Sequence, residues 1–291
     1  KYRFDPAFKT GGTFGSNFHV LRERALSFNY ASVNMSDPTR VRIHERLIAG
    51  HYLRQFDEEI VQPKKNFNCG ESCSAVCKKV DGKFKKDYEP YQAMGPLVGV
   101  FDQRAAERLN RFADSQGFDA IQIGGEVAWV MECLHRGWLG PAETGIADEP
   151  HWDPDTLDPV VDSAHNASIA ERVIRWILDD PRAAALRQGL RSGAAALGGP
   201  AAQAAVYNAN GDQHGWMVPN QYWVPGMFAP VPIMGRYYLN YQYEWLPPFE
   251  LGRSCADRMV KELMLDNYGM CRFHRGWAET LLPELGNEFY G

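Results

Sequence analysis

The apolar positions of this chain fall mostly at helical spacing. In "DQRAAERLNRFADSQGFD", Ala105, Ala106, Leu109, Phe112 and Ala113 form one apolar face, with Asp102 placed to cap its start and Gly117 to sit just past its end. "GGEVAWVMECLHRG" predicts a second amphipathic helix through Val127, Val130, Met131 and Leu134, stopped by Gly137. Residues 37–60 also carry apolar positions at helical spacing, and the period resumes in "ASIAERVIRWILDD" and "AAALRQGLRSGAAALGG". A last helix is expected in "SCADRMVKELMLDNYGMC", with Ser254 as its N-cap. Residues 139–166, dense in Pro, Asp and Glu, predict a long surface connection. The opening "KTGGTFGSNFHVL" reads as a glycine-rich loop leading into an apolar element.

From about residue 206 the period is lost, and "GWMVPNQYWVPGMFAPVPIMGRYYLNYQYEWLPPFELG" is dense in Pro, Tyr and Trp. A boundary near 205 therefore divides the chain into two expected helical domains, 1–205 and 206–291, in a mainly α fold with few strands. The 291 residues, 45% of them hydrophobic, suffice for a large core. A net charge of -5 gives no basic field for nucleic acid. The one cationic run, "KKVDGKFKK" from Lys78 to Lys86, reads as a solvated loop or as a local patch that raises a cluster's potential or docks an acidic electron carrier. No secretory segment and no long apolar run is present, so no membrane span and a cytoplasmic setting with reduced thiols are expected. The chain begins at Lys1 and ends at "NEFYG", which suggests a processed chain or a piece of a longer subunit.

The cysteines carry the first chemical signal. "NFNCGESCSAVCKK" places Cys69, Cys73 and Cys77 within nine positions, so the three thiols cannot all pair with one another. Zinc sites usually show two separated pairs of ligands. Three bunched thiolates with a remote fourth are the habit of a [4Fe-4S] cluster. Zinc and unrelated thiols remain alternatives. Among the remote cysteines, Cys271 beside Gly269 at a helix end is the best placed, whereas Cys133 and Cys255 lie in helical patterns and read as buried small residues.

The second signal is a near-repeat. "DSQGFD" (Asp114 to Asp119) and "DNYGMC" (Asp266 to Cys271) both read Asp-x-x-Gly-apolar-(Asp or Cys), and both end a predicted helix. A glycine turn lets the backbone approach a ligand, and flanking carboxylates accept hydrogen bonds from the N–H groups of a heterocycle. Taken singly, each copy is only an Asp near a helix-ending glycine.

These paired motifs, with a cysteine loop upstream, resemble the tungsten-dependent aldehyde:ferredoxin oxidoreductases. "YEPYQAMGPLVGVFD", "GFDAIQIGGEVAWVMECLHRG" and "GLRSGAAALGG" resemble them too. The resemblance implies two helical domains enclosing a tungsten ion held by two pterin dithiolenes, with magnesium bridging the pterin phosphates and a [4Fe-4S] cluster alongside. It implies Cys69, Cys73, Cys77 and Cys271 as cluster ligands. Asp114, Gly117, Phe118 and Asp119 would bind one pterin, and Asp266, Gly269 and Met270 the other. Glu89, in "DYEP", occupies the place of a family glutamate able to move protons. The loop here begins C-x3-C where the family's begins C-x2-C, and the family's N-terminal β-rich domain is not seen in this sequence.

The family's members differ in reaction. "YEPYQAMGPLVGVFDQRAAERLN" and "PIMGRYYLNYQYEWLPPFELG" look most like the branch of class II benzoyl-CoA reductase, which favours reduction of an aryl-CoA ring over oxidation of an aldehyde. Trp216, Tyr222, Trp223, Phe228, Tyr237 and Tyr238 would line a dry aromatic pocket, or simply form the core of the second domain. His214, in a glycine-flanked loop, is the first candidate proton donor and His19 the second, while His44, His51 and His135 read as structural. Cys133 is a conceivable extra tungsten ligand, against its plainer reading as a core cysteine. The implied partners are ferredoxin or a ferredoxin-like iron-sulfur subunit, within a hetero-oligomer. A non-catalytic iron-sulfur electron-transfer subunit and a zinc-stapled domain are the readings of other classes.

Overall fold

Local capping chemistry accounts for most of the helix boundaries. The computed structural model describes residues 12–63, 79–81, 84–210, 214–216, 247–269 and 275–291, some of the helical and strand residues by backbone alone. Among these the chain is mainly helical, with two short hairpins and connecting loops, as the mainly α reading anticipates. The helices are α1 (Gly12–Leu21), α2 (Asp37–Arg42), α3 (Arg54–Phe56), α4 (Tyr88–Ala93), α5 (Gln103–Ser115), α6 (Ala120–His135), α7 (Pro141–Thr144), α8 (Val161–Asp179), α9 (Leu190–Leu197), α10 (Gly199–Gln203), α11 (Pro248–Asn267) and α12 (Arg275–Tyr290).

Between α2 and residue 61 the helix winds more widely than an α-helix, as π-helical turns over Ile43–Leu53 and Asp57–Val61 on either side of α3. Its buried apolar residues include Ile43, Ile48 and Leu53, and Leu47 and Tyr52, each a step of five that suits i→i+5 winding. This helix, α1 and α4 meet in an aromatic cluster. Phe14 stacks on Phe56 at 4.1 Å between ring centroids, and Phe18 meets Tyr88 edge-on at 4.9 Å. The Tyr52 hydroxyl donates to the Tyr91 carbonyl at 2.7 Å.

α6 is the centre of the core. It packs against α4, α5, α8 and the turn Pro96–Val98, and every residue from Ile123 to Leu134 is buried. The sequence predicted a helix with one apolar face. The structure buries it on all sides, as befits a helix at the middle of a core, and this takes Glu126 and Glu132 inside.

Four other expectations change. The 139–166 connection is tied down: Leu139, Ile146, Trp152 and Leu157 are buried, and α8 begins at Val161 because Asp158 accepts from the Val160 and Val161 amides at 2.9 and 2.8 Å. The helix expected over 183–199 is broken by Gly189, whose φ of +99° separates the short turn Leu186–Gln188 from α9. Ser254 lies within α11 rather than at its cap, since α11 already starts at Pro248, a residue whose fixed φ suits a first helical position. The "KTGGTFGSNFHVL" stretch is helical from Gly12 onward, so most of the expected loop belongs to α1.

The described part of the cationic run is a hairpin rather than a loop, with Lys85 exposed and Lys86 buried. β1 (Lys79–Asp81) and β2 (Phe84–Lys86) form an antiparallel hairpin, and Lys86 at its end is 1% exposed. Its ammonium pairs with Glu107, donates to Gln103 Oε1 at 3.1 Å and lies over the Tyr91 ring. Glu107 also takes Arg111 and the Tyr91 hydroxyl. β3 (Asn208–Asn210) and β4 (His214–Trp216) form the second hairpin, with Asn210 opposite His214.

Candidate cofactor site

The first motif is a helix–turn–helix corner. α5 ends at Ser115, and Gly117 follows in the left-handed conformation at φ +80°. The Phe118 amide reaches back to the Ala113 carbonyl at 3.1 Å, and the Gly117 amide to the Asp114 carbonyl at 3.0 Å. This pair of bonds is the Schellman ending of a helix. Two residues later Asp119 starts α6, its Oδ1 accepting from the Ile121 and Gln122 amides at 3.0 and 2.8 Å. The four motif residues thus sit on one corner, with Asp114 and Asp119 exposed and Phe118 packed partly into the core.

The second motif repeats this ending. α11 stops at Asn267 as α5 stops at Ser115, and Gly269 takes the same position two residues on, at φ +65°. The repeat seen in the sequence is therefore a repeat of backbone geometry. The side chain of Asp266, and Met270 and Cys271 as a whole, lie outside the described residues.

Both corners suit a heterocycle with N–H groups. A Cβ on either glycine would meet nothing within 4 Å, so the backbone at each corner is open to an incoming group. The Asp114 carboxylate accepts no hydrogen bond among the described residues, and Asp119 uses only Oδ1. Three carboxylate oxygens are thus left as acceptors at the first corner. On this ground the residues fit the implied cofactor.

The other candidates stand as follows. Glu89 is half-buried in the first turn of α4, the helix that packs on α6. His214 heads strand β4 rather than a loop, and its side chain lies outside the described residues. Cys69, Cys73 and Cys77 also lie outside them, as do Tyr222, Trp223, Phe228, Tyr237 and Tyr238. No group of three or more His, Cys, Asp or Glu able to hold a metal occurs among the described residues. Cys133 is fully buried in the core, and burial, helped by the nearby Glu132, pushes its thiol up to about 12. It lies fourteen residues beyond Asp119, about 21 Å along α6, which matches a core cysteine and not a ligand at that corner. His19 is exposed on α1. His51 Nε2 approaches Asp102 Oδ2 at 3.4 Å, and His135 stacks on Trp152, both in keeping with structural roles.

Sequence reasoning missed two buried acids on α6. Glu132 accepts from Asn29 Nδ2 at 2.6 Å and pairs with Arg136 at 3.6 Å. Glu126 accepts from Gln122 Nε2 at 3.1 Å, and burial raises its pKa to about 7, partly offset by that hydrogen bond. The signal was present: both acids interrupt the most apolar helical stretch of the chain.

Comparison with known proteins shows the family. Residues 29–290 match the family described as aldehyde ferredoxin oxidoreductase, domains 2 and 3. The whole chain aligns at 38% identity with 47% of glyceraldehyde-3-phosphate:ferredoxin oxidoreductase from Pyrococcus furiosus. It aligns, again over its full length, at 36% identity with 49% of an uncharacterized protein from Methanocaldococcus jannaschii. About a third of it, 31%, aligns at 31% identity with 15% of a tungsten-containing aldehyde ferredoxin oxidoreductase from Pyrococcus horikoshii. The chain spans about half the length of the two relatives it matches end to end. No helix among the described residues is long and apolar enough to cross a membrane.

Proposed function

Because the chain belongs to the aldehyde ferredoxin oxidoreductase family, we propose that the protein it comes from is a tungsten-dependent oxidoreductase that oxidises an aldehyde to its carboxylic acid and passes the electrons to ferredoxin or a ferredoxin-like iron-sulfur subunit. The observation that carries the choice of substrate class is the end-to-end 38% identity with a relative named for an aldehyde phosphate and ferredoxin. Aryl-CoA reduction, favoured by the sequence alone, rests on the likeness of residues 88–110 and of the aromatic block, of which residues 217–246 lie outside the described residues.

In this reading Asp114, Gly117, Phe118 and Asp119 would hold one pterin, and Asp266, Gly269 and Met270 the other, with magnesium as a further ion. Cys69, Cys73, Cys77 and Cys271 hold a [4Fe-4S] cluster. The bound cofactor supplies the two-electron chemistry, and the protein supplies position, electrostatics and proton handling. The exposed carboxylates of the first corner accept from pterin N–H groups, and its left-handed glycine lets the backbone close on the ring. Glu89 holds or releases a proton beside the reacting carbon, with His214 as a second proton donor. The chain then contributes two helical domains, 1–205 and 206–291, one with each pterin motif.

The test is turnover by the anaerobically purified full-length protein. Reduction of ferredoxin with glyceraldehyde-3-phosphate or simple aldehydes supports the reading. Reduction of benzoyl-CoA by reduced ferredoxin, with no turnover of aldehydes, overturns it in favour of the aryl-CoA branch.

A further inference from the structure

The outward face of α5 carries a row of arginines. Arg104, Arg108 and Arg111 stand at i, i+4 and i+7, so they share one side of the helix, and all three are exposed. The other side holds Ala105, Ala106, Leu109 and Ala113 in the core. The β1–β2 hairpin lies beside this row. The Arg111 guanidinium sits 3.7 Å from the centroid of the Phe84 ring, and Lys86 pairs with Glu107, so Phe84 and Lys86 both point toward α5. Side chains alternate along a strand, and Lys85 between them faces away, into solvent.

The carboxylates here are drawn in while the cations stand out. Glu107, which takes Lys86 and Arg111, has 14% of its side chain exposed, against 43% for Arg111. Glu59 has 28% exposed, against 72% for its partner Arg104. Toward Arg104 the row meets the acids of the π-helical turns, half-buried Asp57 and Glu58, the latter paired with Arg54. At the far end Asp114 is exposed but lies round the helix from the row. The basic part is therefore Arg108, Arg111 and Lys85. Arg108 has no ion pair among the described residues. The whole chain carries a net charge of -5, so this face is a local feature of opposite sign. A partner with an acidic surface is repelled by the molecule at large and oriented by this face.

We propose that Arg108, Arg111 and Lys85 form a docking face for an acidic protein, the ferredoxin-type electron carrier of the proposed function. Charge complementarity selects this partner. Arg111 is held by the Phe84 ring and Glu107, so it meets a partner's carboxylate with little side-chain freedom left to lose. The hairpin also follows the cysteine loop closely. β1 begins two residues after Cys77, a span of at most about 7 Å of chain, and β1 pairs with β2. The three residues dock the carrier by charge, and no electron, proton or bond is assigned to them. This inference rests on the reading of the enzyme as one that exchanges electrons with an iron-sulfur partner.

The experiment titrates the anaerobically purified full-length protein with ferredoxin from the same cells and reads Kd at about 50 mM and about 300 mM salt. Arg108→Glu, alone and with Lys85→Glu, is set beside Arg42→Glu, an equal change of charge at a residue paired with Asp155. The proposal expects the parent to bind more weakly at the higher salt. At the lower salt Arg108→Glu raises Kd about tenfold, as an attractive contact becomes a repulsive one, and Lys85→Glu raises it further. Arg42→Glu stays within about twofold of the parent. Aldehyde turnover with a viologen dye in place of ferredoxin is unchanged by Arg108→Glu and Lys85→Glu. No binding by the parent, binding indifferent to both substitutions, or an equal loss in Arg42→Glu overturns the docking face, and viologen turnover in the same preparation leaves the enzyme reading standing. A parent that turns over no aldehyde, yet loses ferredoxin binding in Arg108→Glu, ends the aldehyde reading and supports the docking face.

Discussion

Asn29 donates its side-chain Nδ2 to Glu132 Oε2 at 2.6 Å, joining residues 103 apart in sequence. The same nitrogen reaches the Ala204 carbonyl at 3.0 Å. Asn29 is the middle of three successive non-glycine residues with positive φ: Phe28 at 54°, Asn29 at 47° and Tyr30 at 65°. Left-handed backbone is unfavourable for side chains other than glycine and, less so, asparagine. The turn persists because its amides are held: Phe28 and Asn29 donate to the Pro96 and Leu97 carbonyls at 3.0 and 2.9 Å. Asn29→Ala removes both side-chain bonds, leaves Glu132 short of a donor and adds backbone strain. The expected cost is about 2–4 kcal/mol, read from denaturant midpoints, whereas Asn29→Gly recovers the strain part only.

The Lys86–Glu107 pair predicts an asymmetry. Glu107→Gln removes the carboxylate charge that pairs with a fully buried ammonium, and should cost about 3–5 kcal/mol. Lys86→Met keeps the volume and leaves Glu107 paired with Arg111, so it should cost no more than about 1–2 kcal/mol. Equal losses in chemical denaturation would contradict the burial argument.

Two glycines separate strain from crowding. Gly117→Ala meets no neighbour but forces a side chain into φ +80°, at about 1–2 kcal/mol. It also places a methyl group on the open corner, so tungsten retention should fall by more than stability does. Gly124→Ala brings a Cβ to 2.7 Å from the Ala93 Cβ and 3.0 Å from its carbonyl carbon, where α4 crosses α6. Overpacking there should cost about 1–3 kcal/mol. Thermal melts of the two variants beside metal content separate the effects.

Glu126 predicts a pH dependence of opposite sign to that of most carboxylates. Its folded pKa is raised from the ordinary 4.5 to about 7, so between those values the folded state holds more protons than the unfolded one. Its contribution is full below the unfolded value and is lost as pH rises through the folded one, by about 3 kcal/mol in all. Glu126→Gln should therefore match the parent near pH 5 and exceed it above neutrality. Parallel stability–pH curves would contradict this.

Many of the helix ends around the first corner were legible in the residues. Asp102, Asp119, Gly117 and Gly137 signal helix ends by local chemistry, and each occupies the position its residue type suggests. The repeated Asp-x-x-Gly survives as repeated backbone geometry for the same reason. What periodicity hides is context. "KKVDGKFKK" reads as solvated because nothing local reveals that Glu107 and Tyr91 will enclose Lys86. Ser254 is a good cap residue in the wrong place because Pro248 starts the helix first. The left-handed run at Phe28–Tyr30 contains no glycine and depends on partners from residues 96 and 97, so no local pattern announces it.

The most direct measurement is elemental analysis for tungsten, molybdenum, iron and zinc on the anaerobically purified full-length protein, beside Asp114→Asn and Gly117→Ala. The account predicts tungsten near one per chain and about four iron atoms, with tungsten depleted and iron retained in the two corner variants. Iron without tungsten or molybdenum, or zinc alone, would contradict it.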